Sequence, residues 1–341
     1  MKQVCREILV SLLPEFLRNI GFSSNEETLR YINKLLCNTQ LDRPRESSIE
    51  CESTLSGGGS PLELCLSVAG RMIVGFGLTV EHDERAFAPS LDAGITLLRS
   101  LGWENSSTIL KSSALLIRES SPSLIRLFDS VSHRQNGVMN VKIYFAVQDD
   151  QFNGEIISRL RKAFQLRESS RIDRVARGLA LRGPDIVCLS FFNDRLDGMK
   201  CYFTKPYIHL QLINRFALST EMSIRSYISL LRWYHIVAER RSGRLGLFGF
   251  GIKTNVQSDA DSLEVYCYGR NEGKEDFSKR VERIVRSRME ANAWRMLAEW
   301  RDRYFSRDSD ETTCKMLFSG LSANITNRTT LDNLGIYLSF Q

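Results

Sequence analysis

Lysine and tyrosine recur two residues apart in this chain, at Lys142 and Tyr144 and again at Lys200 and Tyr202. Glu264 and Tyr266 repeat the spacing with the charge reversed, Gly335 and Tyr337 repeat it without charge, and Tyr268 stands one step beyond Tyr266. A lysine ammonium binds phosphate as a point charge. A tyrosine ring attracts a cation to its π face. Residues two apart on a strand share a face. Together these groups suit chemistry in which an anionic leaving group departs beside a carbocation.

The segments that carry them alternate cleanly. In 140–148, Val141, Ile143, Phe145 and Val147 form an apolar face opposite Asn140, Lys142, Tyr144, Ala146 and Gln148. Segments 198–204, 262–268 and 333–340 follow the same design. Period two predicts strands over 61–68, 71–81, 139–148, 185–194, 198–206, 243–255, 262–269, 314–321 and 331–339. Three- and four-residue spacing predicts helices over 7–20, 26–37, 90–101, 155–165, 220–240 and 275–303. Short turns at Ala69-Gly70 and Asp197-Gly198 would join neighbouring strands as antiparallel hairpins. The partner of 139–148 has no clear signal.

Hairpins alternating with helices, and no protected sheet edge, predict an α+β chain built on a closed antiparallel barrel of about ten strands with helices outside. For a single strand, a sandwich or half-open sheet with its polar face in solvent is the first reading. Four strands of one design favour the barrel, because helices would cover the aliphatic faces and leave the Lys/Tyr faces lining a lumen. Such a lumen is costly unless it holds water and an anionic ligand.

The chain has 341 residues, 43% hydrophobic and 25% charged, which excludes collagen, disorder, coiled coil and membrane spans. Its 46 Lys+Arg and 40 Asp+Glu leave a formal charge of +6, scattered rather than gathered, so no nucleic-acid or membrane partner is expected. The eight cysteines lack metal-binding spacing and read as reduced thiols of a cytoplasmic protein. Asp149-Asp150 and the 308–311 acidic run read as loop charges, and the four histidines are isolated. No domain boundary stands out. The expectation is a monomer with one domain over 1–341, its N-terminal helices in 1–45 and its barrel repeats in 46–341.

Three stretches carry a family resemblance. GLFGFGIKTN (246–255) with the following SLEVYCYGRNEGKEDF, the closing CKMLFSGL and LDNLGIYLSF, and SPLELCLSV (60–68) together resemble the αββα-barrel aromatic prenyltransferases. The likeness is nearest to the cyanobactin peptide prenyltransferases. It implies transfer of a dimethylallyl group, with geranyl as the alternative, from its diphosphate to a side chain of a macrocyclic peptide. Free tryptophan or a small indole is the alternative acceptor, and a non-catalytic barrel carrying an apolar anion is the rival outside enzymes. Mg²⁺ is implied as a cofactor held through the diphosphate.

By position, the resemblance makes Glu63 the proton acceptor, with Glu50 in SSIEC as its rival. It makes Lys142, Lys200 and Lys253 diphosphate ligands, with Arg71 as a further one. Tyr144, Tyr202, Tyr266, Tyr268 and Tyr337 become the cation shield, and Phe248 and Phe250 would narrow the prenyl pocket. Gly75 and Gly77 stand where the family usually has a basic residue on the second strand.

Overall fold

Ten strands pair antiparallel with their sequence neighbours, and the last pairs with the first, so the sheet closes on itself. They are β1 (Leu62–Ala69), β2 (Met72–Glu81), β3 (Ile125–Arg134), β4 (Met139–Val147), β5 (Ile186–Phe192), β6 (Arg195–Lys205), β7 (Phe248–Asn255), β8 (Ser262–Tyr268), β9 (Met316–Ile325) and β10 (Asn333–Phe340). The computed structural model describes residues 13–19, 30, 35, 62–81, 87–120, 125–134, 139–147, 152, 154–166, 170–205, 209–237, 248–255, 262–268, 274–304, 316–325 and 333–340.

Pairs of helices connect the hairpins. The described ones are α1 (Phe87–Ser100), α2 (Glu104–Ser120), α3 (Gly154–Ala163), α4 (Ser170–Gly178), α5 (Leu210–Ser219), α6 (Ile224–Val237), α7 (Lys274–Arg288) and α8 (Ala291–Tyr304). Alternation explains the layering. Leu62, Leu64, Leu66 and Val68 of β1 are buried, as are Val141, Ile143 and Phe145 of β4 and Leu334, Ile336 and Leu338 of β10. These aliphatic rows point outward into a core shared with the helices, so the main hydrophobic layer surrounds the barrel. The helical stretch 13–19 joins that layer, with Phe16 stacked on Trp300 of α8 at 4.3 Å between ring centroids.

Several expectations are corrected. The missing partner of β4 is β3, where Asp129 and His133 interrupt the apolar row of Ile125, Leu127 and Val131, and Phe128 interrupts the polar one. The turn expected at Asp197-Gly198 lies inside β6; the β5–β6 hairpin turns instead at Asn193 and Asp194, both at positive φ (46° and 57°), as a right-twisted two-residue hairpin requires. Asp194 then caps α2, its carboxylate accepting from the Ser106 N–H at 2.8 Å and the Asn105 N–H at 3.3 Å. The single helix expected over 275–303 is two, broken at Met289 and Glu290. Glu290 donates its N–H to the Arg71 carbonyl at 2.8 Å, tying the β1–β2 turn to that break. Among the described residues no helix is long and apolar enough to cross a membrane.

Candidate active site

The inward rows line a cavity of about 640 Å³ inside the barrel. Along β1 the inward row passes from exposed Ser67, near the hairpin-turn end, through half-buried Cys65 to Glu63, only 3% exposed. Asn324 and Asn333 are exposed at the same end as Ser67. The lumen is thus accessible from the hairpin-turn end and deepens toward the end where helices connect the strands. There, Arg126 and Glu81 form a buried ion pair at 3.5 Å.

Two walls differ in chemistry. On the β4–β10 side, tyrosines form a continuous ladder. Tyr144 neighbours Tyr202 at 6.1 Å between centroids, Tyr202 neighbours Tyr266 at 5.3 Å, Tyr266 neighbours Tyr337 at 6.3 Å and Tyr337 neighbours Tyr268 at 5.2 Å. Burial pushes all of these phenols well above their ordinary pKa, so they stay neutral and present π faces. On the β1–β3 side the lining is small and hydroxylic, with Gly77, Thr79, Ser130 and Ser132 beside Phe76 and Phe128. Thr79 donates to Ser130 across the β2–β3 pair at 3.0 Å.

Glycines make room for the rings. A Cβ at Gly320 would stand 2.6 Å from Cδ1 of Tyr268, its register partner, and one at Gly251 would stand 2.8 Å from Cε of Lys200. Both positions exclude a side chain because a neighbour's already fills the space.

The lysines sit against the ladder. Lys142 and Lys200 line the cavity, and the Lys200 ammonium lies 4.9 Å from the ring centroids of both Tyr202 and Tyr266. It donates to Glu264 Oε2 and to the Tyr266 hydroxyl, which itself donates to Glu264. Burial pulls the Lys200 pKa down and Glu264 opposes that pull, while Lys200 in turn helps to hold Glu264 below its ordinary value against burial. Glu264 is the residue that the Lys/Tyr pattern does not single out as functional. Its signal was there in the sequence, as the one position of the repeat where an acid replaces the lysine.

Glu63 is buried between Ser339 of β10 and Thr79 of β2, its register partners. Its Oε2 has no hydrogen-bond partner. Burial pushes its carboxyl well above the usual range, and the Ser319 hydroxyl offsets only part of that. Cys65, two residues along the same face, is pushed up to about 12 by burial and the Glu63 charge, so it is a thiol rather than a nucleophilic thiolate.

The structure therefore gathers Glu63, Lys142, Lys200 and the five tyrosines into one cavity. The backbone of Lys253 pairs in register with Lys200, and its side chain lies outside the described ones. Glu50 lies outside the described residues. Phe250 is corrected: it faces outward and stacks on Phe216 of α5 at 3.8 Å, so it does not narrow the prenyl pocket, while the side chain of Phe248 lies outside the described ones. On β7 it is Gly251 that lies beneath Lys200 and Tyr266 on the lumen side. Arg71 is corrected as well. It is exposed in the β1–β2 turn at φ 74°, its guanidinium 3.5 Å from the Ser287 carbonyl, and does not line the cavity.

Among the described residues no group of three His, Cys, Asp or Glu side chains could hold a metal ion. The lumen acids Glu63 and Glu264 face different partners, so the donor set does not fit a protein-held Mg²⁺.

The sequence matches no protein-family model and no curated protein. Solved structures do match over nearly the whole chain. Prenyltransferase PriB in its apo form aligns with a TM-score of 0.68 at 15% identity, covering 98% of this chain and 95% of that one. A 6-dimethylallyl tryptophan synthase gives 0.69 at 13%, covering 97% and 94%. The 5-dimethylallyltryptophan synthase from Streptomyces coelicolor gives 0.67 at 15%, covering 98% and 97%. The chain has the ten-stranded αββα-barrel fold of these prenyltransferases.

Proposed function

We propose that the protein is a prenyltransferase that moves a dimethylallyl group from its diphosphate to the indole of free tryptophan or a related small indole. One observation carries the reading: a continuous ladder of neutral tyrosines, flanked by Lys142 and Lys200, shares the barrel lumen with a buried carboxyl, Glu63, whose Oε2 has no hydrogen-bond partner. The lysines would hold the diphosphate as its C–O bond breaks, and the phenol rings would face the allylic cation and exclude water. The indole carbon then bonds to the cation, and Glu63 takes the proton that the ring releases. A passive carrier would have no use for such a carboxyl.

The neighbouring folds support the acceptor. PriB forms a ternary complex with L-tryptophan and dimethylallyl thiolodiphosphate (TM-score 0.65), and NotF is seen with brevianamide F and DMSPP (0.62). A cavity of about 640 Å³ has room for one small diphosphate and one amino-acid-sized ring together, within the ordinary range for small-molecule sites. A macrocyclic peptide acceptor has no comparable support. With Phe250 on the outward row, the choice of dimethylallyl over geranyl rests on these neighbours. Mg²⁺ enters the proposal as a counter-ion of the diphosphate.

The test is incubation with dimethylallyl or geranyl diphosphate and a panel of tryptophan, small indoles and cyclic peptides, read by mass. Addition of one dimethylallyl unit to tryptophan or an indole is expected. Addition to peptides alone would overturn the acceptor, and diphosphate binding with no transfer to any acceptor would overturn the enzyme in favour of a carrier.

A further inference from the structure

Lys200 and Glu264 lie on β6 and β8, with β7 between them. Tyr202 pairs with Gly251, and Gly251 with Glu264. The lysine reaches its carboxylate only by crossing the space above Gly251, where any Cβ would stand 2.8 Å from Lys200 Cε and 3.0 Å from Tyr266 Cε2. Three elements of the sheet are thus shaped around one contact: a lysine on β6, a missing side chain on β7, and an acid with its neighbouring phenol on β8. The ammonium is left over two aromatic faces at 4.9 Å each, inside the cavity.

We propose that Glu264 is a positioning residue for the donor diphosphate: acting through Lys200, it holds that ammonium charged against the tyrosine ladder. The inference rests on the reading of the lumen as a diphosphate site. A carboxylate beside an anion site is otherwise paradoxical, since it repels the ligand by simple Coulomb interaction. Its benefit is indirect. Facing Lys200 are Cys188 on β5, Lys142 and Tyr144 on β4, Tyr202 on its own strand, and Glu264 and Tyr266 on β8; on β7 the backbone of Lys253 pairs with it in register. Burial and Lys142 both disfavour the charged form of Lys200, and Glu264 is the first of the groups that oppose them. An uncharged lysine would have little hold on a diphosphate. Glu264 also fixes the direction of a long side chain that would otherwise sample many rotamers.

The two effects of Glu264 have opposite signs, which makes the idea testable without catalysis. Binding of inorganic pyrophosphate to the full chain is measured by calorimetry across pH for the wild type, Glu264→Gln and Gly251→Ala. Comparison at each pH cancels the titration of pyrophosphate itself. In Glu264→Gln the lysine loses its counter-charge, so its charged form is lost at lower pH. Binding should weaken by about tenfold at the alkaline end for each pKa unit that Lys200 falls, and match or exceed the wild type near the acid end. Gly251→Ala leaves every charge in place but blocks the path of the lysine, so it should weaken binding at all pH values. Glu264→Asp should restore part of the alkaline affinity.

Glu264→Gln binding as tightly as wild type, or more tightly, at every pH would overturn the positioning role and leave Glu264 a mere repulsive neighbour. Wild-type protein that binds no pyrophosphate at all would remove the donor site itself, and the proposal with it. Should Glu264→Gln fail to fold, unchanged pyrophosphate binding by Gly251→Ala would overturn the proposal by itself.

Discussion

Ser319 stands near Glu63 across an intervening strand, close enough to lower the carboxyl's pKa. In the β9–β10 pair, Gly320 stands opposite Tyr337 and Phe318 opposite Leu338, which leaves Ser319 as the extra, unpaired residue of a bulge. Glu63 lies on β1, on the far side of β10. Bulges re-aim side chains next to sites, and this one sets a hydroxyl beside a carboxyl whose pKa burial has driven up.

That arrangement fixes a pH dependence. Glu63 can accept a proton only when ionised, so transfer should rise with pH through a limb well above the usual carboxylate range. Ser319 lowers the pKa, so Ser319→Ala should move the limb to higher pH. Glu63→Gln should cut turnover by about 10²–10⁴-fold and leave donor binding nearly unchanged. Steady-state rates against pH for the three proteins check this, and an unmoved limb in Ser319→Ala counts against it.

The same carboxyl should cost stability. Its folded pKa lies above the unfolded value, so its contribution is fully present at low pH and is lost as pH rises through the folded pKa. Glu63→Gln should therefore match or exceed the wild-type Tm at neutral pH, with the difference shrinking toward about pH 4. Thermal melts at several pH values measure it; a Glu63→Gln protein less stable at neutral pH than at acid pH, relative to wild type, contradicts the sign.

Tyr202 is central in the ladder, with Tyr144 on one side and Tyr266 on the other. Tyr202→Phe keeps the π face and should retain most turnover. Tyr202→Leu removes it, which should lower turnover by roughly two- to thirtyfold, as expected for about 0.5–2 kcal/mol of cation–π attraction. It should also release more prenyl alcohol as water reaches the cation. Product analysis by chromatography separates the two variants.

Phe250 distinguishes a core residue from a pocket residue. Phe250→Ala should destabilise the fold by about 3–5 kcal/mol, because it empties the stack on Phe216, and should leave the choice between dimethylallyl and geranyl diphosphate unchanged. Gaining geranyl transfer would put the ring back in the lumen.

Gly320 reports on the ladder from behind. An added methyl would meet the Tyr268 ring at 2.6 Å, so Gly320→Ala should cost about 1–3 kcal/mol of stability by overpacking. Denaturant unfolding gives the value, and a neutral substitution would mean that Tyr268 swings freely.

Alternation along each strand is a local property, and it was legible. Val141, Ile143 and Phe145 against Lys142 and Tyr144 announce two faces without any knowledge of neighbours, and hairpins with aliphatic outer faces demand closure. Most of the barrel and most of its tyrosines follow from that. β3 was hidden because Arg126, Asp129 and His133 are buried polar groups, which periodicity scores as surface.

Beyond that, tertiary structure decided. On β7, Phe248 and Phe250 alternate with glycines, and pattern alone does not say which row faces in; the stacking of Phe250 on Phe216 and the place of Gly251 beneath Lys200 settle it. The contact of Glu264 with Lys200, 64 residues away, needs β7 between them and an empty position at Gly251. The meeting of Glu63 with Ser319 needs the first strand to close on the last, plus one unpaired residue. A sequence carries the period of each strand, but register and closure depend on how all ten strands fit around one cavity.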